Sequence, residues 1–513
     1  MVDSNWLKSR EFFLLLFLFF TALSFRYLNF IIVNLPECPF PNTDEDFYYF
    51  IGKFIDKNFF LYSEEVFYFS PIYGFLNGIF SPEILRIINI FLGSTVPVCA
   101  YLMGKLIFGN KTVSFIIALS VGFLDIFVVY DTTALKTTSG IFFIFWGFYF
   151  YLKAINKNQK FFPVVSGLFL IFSSLIYINF LPVLFSFFVF LIIKDIRKGM
   201  LFVIPVIIVL SIVTYRNYTA VRDFILVSGI GGIHFYIGNS PYTQGGYYRV
   251  PNIRASAFGH YFDGRKVAEK EMGKKLKPSE VNKYWRDKAL SYIISDPDKW
   301  LFLELKKLFL VFNNYDIPNN IDKNFIKEKN RLLRFSITFG VLSVFGLSGF
   351  LFAIRDKKYL PVHLLFILYT ITVLLFFVTD RYRLPLVLPL IVYTGIFLNS
   401  FATVNKQKKL VYILPVFLFS IIVFFPVDAK TVNIEKDRKA YSYQVCSIRK
   451  KIQRTEDKIK KSSLYTEEAI IYIKLKGYEQ ALFLLNQALY LNPENEKAKK
   501  LYKFSHKMIF NSF

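Results

Sequence analysis

Long apolar blocks separated by short basic clusters dominate this 513-residue chain, in which 54% of residues are hydrophobic. A helix of about 20 apolar residues can cross a bilayer, because hydrocarbon offers backbone amides no partner outside the helix. The blocks therefore predict an all-α polytopic membrane protein with about eleven transmembrane helices. The expected spans are 11–33, 84–104, 112–130, 138–155, 161–177, 179–193, 200–218, 333–354, 360–378, 384–402 and 410–427.

The basic clusters predict how these spans are oriented, because Lys and Arg concentrate in cytoplasmic loops. All of them fall on one side if the N-terminus is cytoplasmic, so we expect a multi-pass protein of the inner (plasma) membrane. The outer side then receives 34–83, 131–137, 219–332, 379–383 and everything after 428. The clusters are Lys8/Arg10, Lys105/Lys111, Lys153/Lys157/Lys160, Lys194/Arg197/Lys198, Arg355/Lys357/Lys358 and Lys406/Lys408/Lys409.

The first span begins like a signal peptide, with Lys8 and Arg10 before an apolar run. No small-residue cleavage site follows, so we expect an uncleaved first helix.

Two domains are expected. Residues 1–430 form the transmembrane domain, whose outer loops 34–83 and 219–332 make a mixed extracytoplasmic loop domain. Residues 431–513 form a small extracytoplasmic helical tail.

Within the tail, 464–493 matches one tetratricopeptide-like repeat through the spacing of Ala481, Ala488 and Pro493. About three repeats are normally needed for a stable stack, so this one must pack against neighbouring tail helices. It fits either a docking site for a protein partner or a structural cap.

Charge and cysteine content leave several alternatives open. The formal net charge of +25 comes from the inner loops and from the outer stretches 265–288 and 436–461. Such a basic outer surface fits membrane lipid headgroups or phosphates, or simply a solvated face. No nucleic acid partner is expected. Cys38 and Cys446 both fall outside and could pair, or all three cysteines are independent thiols.

Three adjacent acids in the first outer loop, within PNTDEDFYYF (41–50), are the main catalytic candidates. Acidic residues favour a helix start, where open backbone amides meet them, but that role needs only one acid. A carboxylate in a partly dry site can act as a general base. We therefore predict that at least one of Asp44, Glu45 and Asp46 is catalytic, with either Asp44 or Asp46 as the base.

Charged residues near the outer ends of the spans are candidate binding residues. Arg26 is expected to pair with the acidic cluster or to extend to the outer headgroups. Arg381 and Arg383 flank Tyr382 beside Asp380, and their forked donors suit a phosphate, although interfacial extension explains them equally well.

Other polar candidates occupy the remaining outer loops. Asp131 either orients an acceptor or caps the next helix, and Lys136 follows it. His234 and Asn239 line a Gly-rich segment. No two of the four histidines have ligand spacing, so a zinc site is not predicted. We expect no cofactor, and the requirement for a divalent metal stays open.

The order of these motifs over roughly 5–400 resembles GT-C type membrane glycosyltransferases, in particular the protein O-mannosyltransferase and aminoarabinose transferase branch. The motifs are the D-E-x-x-Y-like Asp44, Glu45 and Tyr48, the Pro-x-Tyr element Pro71 and Tyr73, the G-N turn within 235–248, the segment 285–312, and Arg381, Tyr382, Arg383 and Pro385. Asp46 departs from the group, which usually has a neutral residue there.

The resemblance implies inverting transfer of a hexosyl or pentosyl group from a polyprenyl-phosphate sugar to a hydroxyl of a lipid, glycan or protein on the extracytoplasmic face. Asp44 would take the acceptor proton, and Arg381 and Arg383 would receive the leaving phosphate. The alternative is a polytopic transporter or a lipid or glycan flippase. It ranks second because the spans carry their polar groups near the outer ends rather than at mid-membrane.

Overall fold

The computed structural model describes residues 10–34, 39, 41, 43–54, 65–67, 70–157, 159–321, 323, 326–327, 330–427 and 438–510. Within these ranges the chain is helical, and its β structure is a single isolated bridge between Leu124 and Ile337. The outer loop 219–332 was expected to be mixed, but its described residues form helices without strands. Lys8 and Cys38 lie outside the described residues.

Ten α-helices lie among the described residues of the first half of the chain. They are α1 (Arg10–Val33), α2 (Asp44–Phe54), α3 (Pro71–Ile79), α4 (Pro82–Phe108), α5 (Lys111–Gly122), α6 (Asp125–Asp131), α7 (Thr137–Asn156), α8 (Phe161–Ile176), α9 (Leu181–Lys194) and α10 (Ile196–Val221).

The second half adds twelve more among the described residues. They are α11 (Gly231–Gly238), α12 (Gly264–Met272), α13 (Pro278–Ser295), α14 (Pro297–Phe312), α15 (Phe339–Ala353), α16 (Leu360–Leu374), α17 (Val387–Thr403), α18 (Lys409–Val423), α19 (Arg438–Arg454), α20 (Lys458–Lys474), α21 (Tyr478–Leu491) and α22 (Glu496–Phe510). A π-helix, Gly259–Asp263, precedes α12.

Among the described residues, 6 helical segments are long and apolar enough to cross a membrane, as expected of a membrane protein. They are Arg10–Val33, Pro82–Phe108, Thr137–Asn156, Ile196–Val221, Lys357–Leu374 and Leu384–Thr403. The other five predicted spans form shorter apolar helices: Lys111–Gly122, Phe161–Ile176, Ile178–Lys194, Phe339–Ala353 and Lys409–Val423. The count of eleven spans therefore stays a prediction.

The predicted span 112–130 is broken near its middle. The α5 helix ends at Gly122, and Phe123 and Asp125 then bond to Ile337. The Ile337 carbonyl accepts from the Asp125 amide at 2.9 Å, and the Ile337 amide donates to the Phe123 carbonyl at 3.0 Å. The Asp125 carboxylate is fully buried and pairs with Lys323 at 2.8 Å and Lys327 at 2.6 Å. The prediction of one continuous apolar helix over 112–130 is wrong, because the chain breaks where the Asp125 carboxylate forms this buried ion cluster.

Contacts gather the predicted inner loops at one end of the helices. Lys105 pairs with Glu11 at 2.5 Å, and Lys358 donates to the Ile107 carbonyl at 3.2 Å. Polar contacts of α2 join loops predicted to be outer, described below. The loop assignment and the side that faces the cytoplasm both stay predictions.

The tail is a layer of four helices, α19 to α22, each packed on the next. Ala481 and Ala488 are fully buried, so α21 approaches its neighbours closely. The expected support from the flanking helices is present, while the assignment to the tetratricopeptide class stays a prediction. Cys446 on α19 is disulfide-bonded, and Cys99 is free and buried.

Candidate functional site

Asp44 is the first residue of α2 and forms an ion pair with Arg381. The Arg381 Nη1 atom donates to Asp44 Oδ2 at 2.5 Å, across 337 residues of sequence. The Asp44 side chain keeps 13% of its surface exposed, against 5% for Arg381. The Asp44 backbone amide donates to Asn320 Oδ1 at 3.0 Å, which satisfies one open amide at the helix start. This pair joins two loops that the sequence predicted to share the outer side.

The two neighbouring acids point elsewhere. Glu45 is buried, accepts from Arg86 Nη2 at 3.1 Å and from the Ala134 amide at 2.8 Å, and so fixes α2 to α4 and to the loop before α7. Asp46 is fully buried and accepts from the Tyr472 hydroxyl of the tail at 2.6 Å. Of the three candidate catalytic acids, Asp44 is the one that pairs with an arginine of the 379–383 turn.

Aromatic residues pack beside this pair. Tyr48 lies one turn after Asp44 on α2 and packs edge-to-face with Tyr73, with ring centroids 5.2 Å apart. The ammonium of Lys136 lies 5.9 Å from the centre of the Tyr48 ring. Tyr73 is buried, and its hydroxyl accepts from Asn89 at 3.3 Å. Pro71 is the first residue of α3, which carries Tyr73.

Two histidines lie close enough to Asp44 for its charge to act on both imidazoles. His234 on α11 and His260 on the π-helix are joined by a hydrogen bond of 3.3 Å between Nε2 and Nδ1. The other nitrogen of His260 bonds the Tyr247 hydroxyl at 2.8 Å. We call Asp44, Arg381, Lys136, His234 and His260 together the Asp44 site.

The groups of the Asp44 site differ in how their surroundings shift their pKa values. Burial alone would raise the pKa of Asp44, but the Arg381 and Lys136 charges lower it below its usual value. Burial, helped by the Arg381 charge, lowers the pKa of Lys136 to about 7. Burial also lowers the pKa of His260 to about 4 and that of His234 well below its usual value. At neutral pH the site therefore holds an ionised Asp44, a charged Arg381 and neutral imidazoles, and Lys136 titrates near this pH.

Arg26 behaves differently from both expectations. It is fully buried and pairs with Asp131, with Nε to Oδ2 at 2.6 Å, while its Nη1 donates to the Gly122 carbonyl at 3.0 Å. It neither reaches the acidic cluster nor extends to headgroups, because a carboxylate at the end of α6 lies within the helix bundle. Asp131 accordingly neutralises a buried arginine, and the expectation of a helix cap is wrong.

Arg383 also has an interior partner. Its guanidinium pairs with Asp316, donates to the Asn313 carbonyl at 2.5 Å, and lies 4.1 Å from the centre of the Phe339 ring. Asp316 in turn pairs with Lys323. Only 1% of the Arg383 side chain is exposed. The expected interfacial extension is therefore wrong for Arg383, which is held inside.

A cavity of about 360 Å³ lies on this Arg383 side. Asp316, Lys323 and Lys327 line it, together with Phe424 and Phe425 after α18. Neither Asp44 nor Arg381 contributes to its lining. Its cations are already paired with Asp125 and Asp316, so the cavity belongs to the interior ion cluster.

Asn239 and Tyr382 complete the set of predicted residues. Asn239 is buried, donates to the Leu375 carbonyl at 2.8 Å and accepts from Trp300 at 3.0 Å, so it fixes α14 to the chain after α16. Tyr382 stays with the Asp44 site: its hydroxyl accepts from Arg381 Nη2 at 3.3 Å. Among the described residues, no group of three or more His, Cys, Asp or Glu side chains could hold a metal ion.

Two contributors escaped the sequence analysis. His260 lies on the π-helix and Tyr247 in an irregular stretch of the outer loop, and no spacing relates them to His234. The one available signal was the pair Gly259 and Gly264 flanking HYFD (260–263), a pattern too common to interpret. Chemically, the site combines the ionised Asp44 carboxylate with the Arg381 guanidinium that pairs with it and with Lys136, whose pKa is low. It can bind an anion and accept a proton.

No protein-family model and no curated protein matches the chain. Among solved structures, one similar chain is the Archaeoglobus fulgidus oligosaccharyltransferase, tethered with an acceptor peptide containing the NVT sequon through a disulfide bond. The likeness has a TM-score of 0.40 and 14% sequence identity, and it covers 88% of this chain and 58% of that one. This chain thus spans little more than half the length of that structure, and proposals about its activity depend on its own residues.

Proposed function

We propose that this protein is a membrane glycosyltransferase. It transfers a sugar from a polyprenyl-phosphate donor to a hydroxyl of a lipid, glycan or protein acceptor on the extracytoplasmic face, with inversion at the anomeric carbon. The observation that carries the proposal is the Asp44–Arg381 pair, a partly exposed carboxylate held by a buried arginine among residues that follow membrane helices. Both groups that such a reaction needs, a proton acceptor and a phosphate-binding cation, meet at one point.

Asp44 is the general base in this proposal. Its oxygen takes the proton of the acceptor hydroxyl while the acceptor oxygen attacks the anomeric carbon, and the bond between that carbon and the phosphate oxygen breaks. The pKa of Asp44 lies below its usual value while Arg381 is its partner, so the carboxylate is ionised but weakly basic. A donor phosphate that competes for Arg381 would remove this charge from Asp44 and so make the carboxylate a stronger base.

Arg381 and Lys136 receive the leaving phosphate. The forked guanidinium offers two donors to a phosphate, and its Nη2 already donates to the Tyr382 hydroxyl at 3.3 Å. An anion beside Lys136 would raise its pKa and keep it charged. The neutral histidines add no positive charge that would compete for the phosphate.

The proposal is tested by incubating the purified full chain, in bilayer discs, with a panel of radiolabelled polyprenyl-phosphate sugars and membrane acceptors. We expect one donor to yield labelled product, and Asp44→Asn to slow transfer about 10²–10⁴-fold, the usual contribution of a general base. Glu83→Gln is the matched control, since Glu83 is an exposed carboxylate in the first turn of α4. Normal transfer by Asp44→Asn would refute the base assignment. Movement of donor across the bilayer without cleavage would favour the flippase alternative.

A further inference from the structure

The α2 helix presents two different faces to two different parts of the molecule. Asp44 and Tyr48 are one turn apart and face Arg381 and Lys136. Asp46, Tyr49 and Phe50 follow i, i+3, i+4 spacing, which places them together on another face. This second face is covered by the tail.

The polar part of the contact with the tail centres on Asp46. Its carboxylate accepts from the Tyr472 hydroxyl at 2.6 Å and lies 4.0 Å from Arg449 Nη2. Arg449 is held in place by Glu468, at 2.7 Å from its Nε, and donates to the Tyr472 hydroxyl at 3.1 Å. An acid of the first outer loop thus completes a buried hydrogen-bond network whose other members belong to the tail.

The apolar part of the contact is an aromatic insertion. Phe50 is 1% exposed and belongs to the same apolar cluster as Ala481 and Leu485 of the tail. Its ring packs edge-to-face on Tyr472 at 5.4 Å and on Phe483 at 5.8 Å. The Arg449 guanidinium lies 4.4 Å from the centre of the Tyr49 ring. The core of the tail is therefore completed by a residue from α2.

A second contact links the tail to the segment that carries His260. Arg254 makes two hydrogen bonds of 2.5 Å with Glu479 of α21. The same guanidinium pairs with Asp263, at the end of the π-helix that contains His260, at 2.6 Å. The tail therefore contacts α2, which carries Asp44, and the segment that carries His260, two of the segments that supply residues to the Asp44 site.

We infer that the C-terminal helical tail is a positioning element for the Asp44 site, with Tyr472 and Arg449 as positioning residues that act through Asp46 and α2. The face of the tail around Tyr472 and Phe483 is occupied by a segment of its own chain. The consequence for turnover rests on the proposed function; the consequence for the order of α2 does not.

Hydrogen exchange of the full chain, measured by mass spectrometry in bilayer discs, tests the inference. In Tyr472→Phe, we expect amides of 44–54 to exchange about tenfold faster, the effect of losing a hydrogen bond to a charged group. Tyr490→Phe is the matched control, because Tyr490 is 85% exposed on the same domain. Amides within α4 should not change in either variant.

Asp46→Asn removes the same contact from the α2 side. It therefore still tests the inference if Tyr472→Phe alters the folding of the tail itself. The double variant should exchange no faster than the single ones, because both remove one interaction. Unchanged exchange of 44–54 in both single variants would overturn the inference, as would fully additive effects.

Sugar transfer supplies the functional readout. We expect Tyr472→Phe to lower kcat about tenfold while KM for the donor stays constant, since the displaced group is the base and the phosphate ligands remain. Faster exchange of 44–54 in a protein that transfers no sugar would support the positioning role and reject the proposed function. Faster exchange with an unaltered kcat would overturn positioning of the base.

Discussion

Arg381 and Arg383 belong to the same short turn between α16 and α17, yet they serve different regions of the molecule. Arg381 pairs with Asp44, whose carboxylate retains 13% of its exposure. Arg383 pairs with Asp316, which is 6% exposed and also bound to Lys323. Arg381 is the arginine partner of Asp44, whereas the partner of Arg383 is shared with Lys323 in a cluster that also holds Asp125 and Lys327.

An arginine near the membrane surface can therefore be interpreted only once the residue it pairs with is known. A buried pair costs desolvation that its Coulomb attraction barely repays, so a fully enclosed pair indicates structure. A buried arginine on a partly exposed carboxylate keeps a charge that can be transferred to an incoming anion. Only the second arrangement suits a reaction.

The largest effect is expected from Arg383→Gln, which breaks the interior pair. It leaves Asp316 buried with one cation fewer, and removal of one partner of such a pair costs about 3–5 kcal/mol of folding free energy. Thermal unfolding of the purified protein should show a much lower midpoint than wild type, and Arg381→Gln should lower it far less. Equal losses of stability would remove the distinction between the two arginines.

The next largest effect is expected from Arg381→Gln on donor binding. A hydrogen bond to a charged group contributes about 1.5–3 kcal/mol, so the Kd for a polyprenyl-phosphate sugar should rise about 10–100-fold. Equilibrium binding of labelled donor to the variant in bilayer discs measures this. Arg286→Gln, on an exposed arginine of α13, is the control. Unaltered affinity in Arg381→Gln would exclude it as the phosphate ligand.

A smaller effect is expected from pH through Lys136. Its pKa is about 7 without ligand, and a bound anion raises it. Affinity for the donor should therefore be highest and constant below pH 7. Above pH 7 it should fall, by up to about tenfold per pH unit, as Lys136 of the unbound protein loses its proton. Titration of Kd from pH 6 to 9 measures the fall, and Lys136→Arg should abolish it because arginine stays charged. A Kd that does not change with pH in the wild type would contradict this role.

The smallest effect is expected from Tyr382→Phe. The hydroxyl accepts a long bond of 3.3 Å from Arg381 Nη2, so its loss should cost about 0.5 kcal/mol of donor binding. A two- to threefold rise in Kd, with unfolding unchanged, is the expected result. A loss as large as that of Arg381→Gln would mean that Tyr382 itself binds the donor.

The sequence predicted the helical, membrane-spanning character and the nearness of the acidic cluster to the Arg-Tyr-Arg turn. These depend on local apolar composition and on loops that share a side. The partners of the buried charges were not predictable in the same way. Arg26 and Asp131 are 105 residues apart, and their pairing depends on which helices are neighbours in the bundle.

The sequence also did not predict which neighbour each of Asp44, Glu45 and Asp46 contacts. Adjacent helix residues point about 100° apart, so three identical charges face three different neighbours. Only the positions of Arg381, Arg86 and Tyr472 in space distinguish them. The break at Gly122 had a signal in the charge of Asp125, which the surrounding apolar residues outweighed.

The most direct measurement is an experimental structure of the full chain with a non-transferable analogue of a polyprenyl-phosphate sugar. We expect phosphate oxygens about 3 Å from the Arg381 guanidinium and close to Lys136, with the Asp44 carboxylate released from Arg381 and turned toward the anomeric carbon. An intact Asp44–Arg381 pair, with the phosphate bound elsewhere, would contradict it.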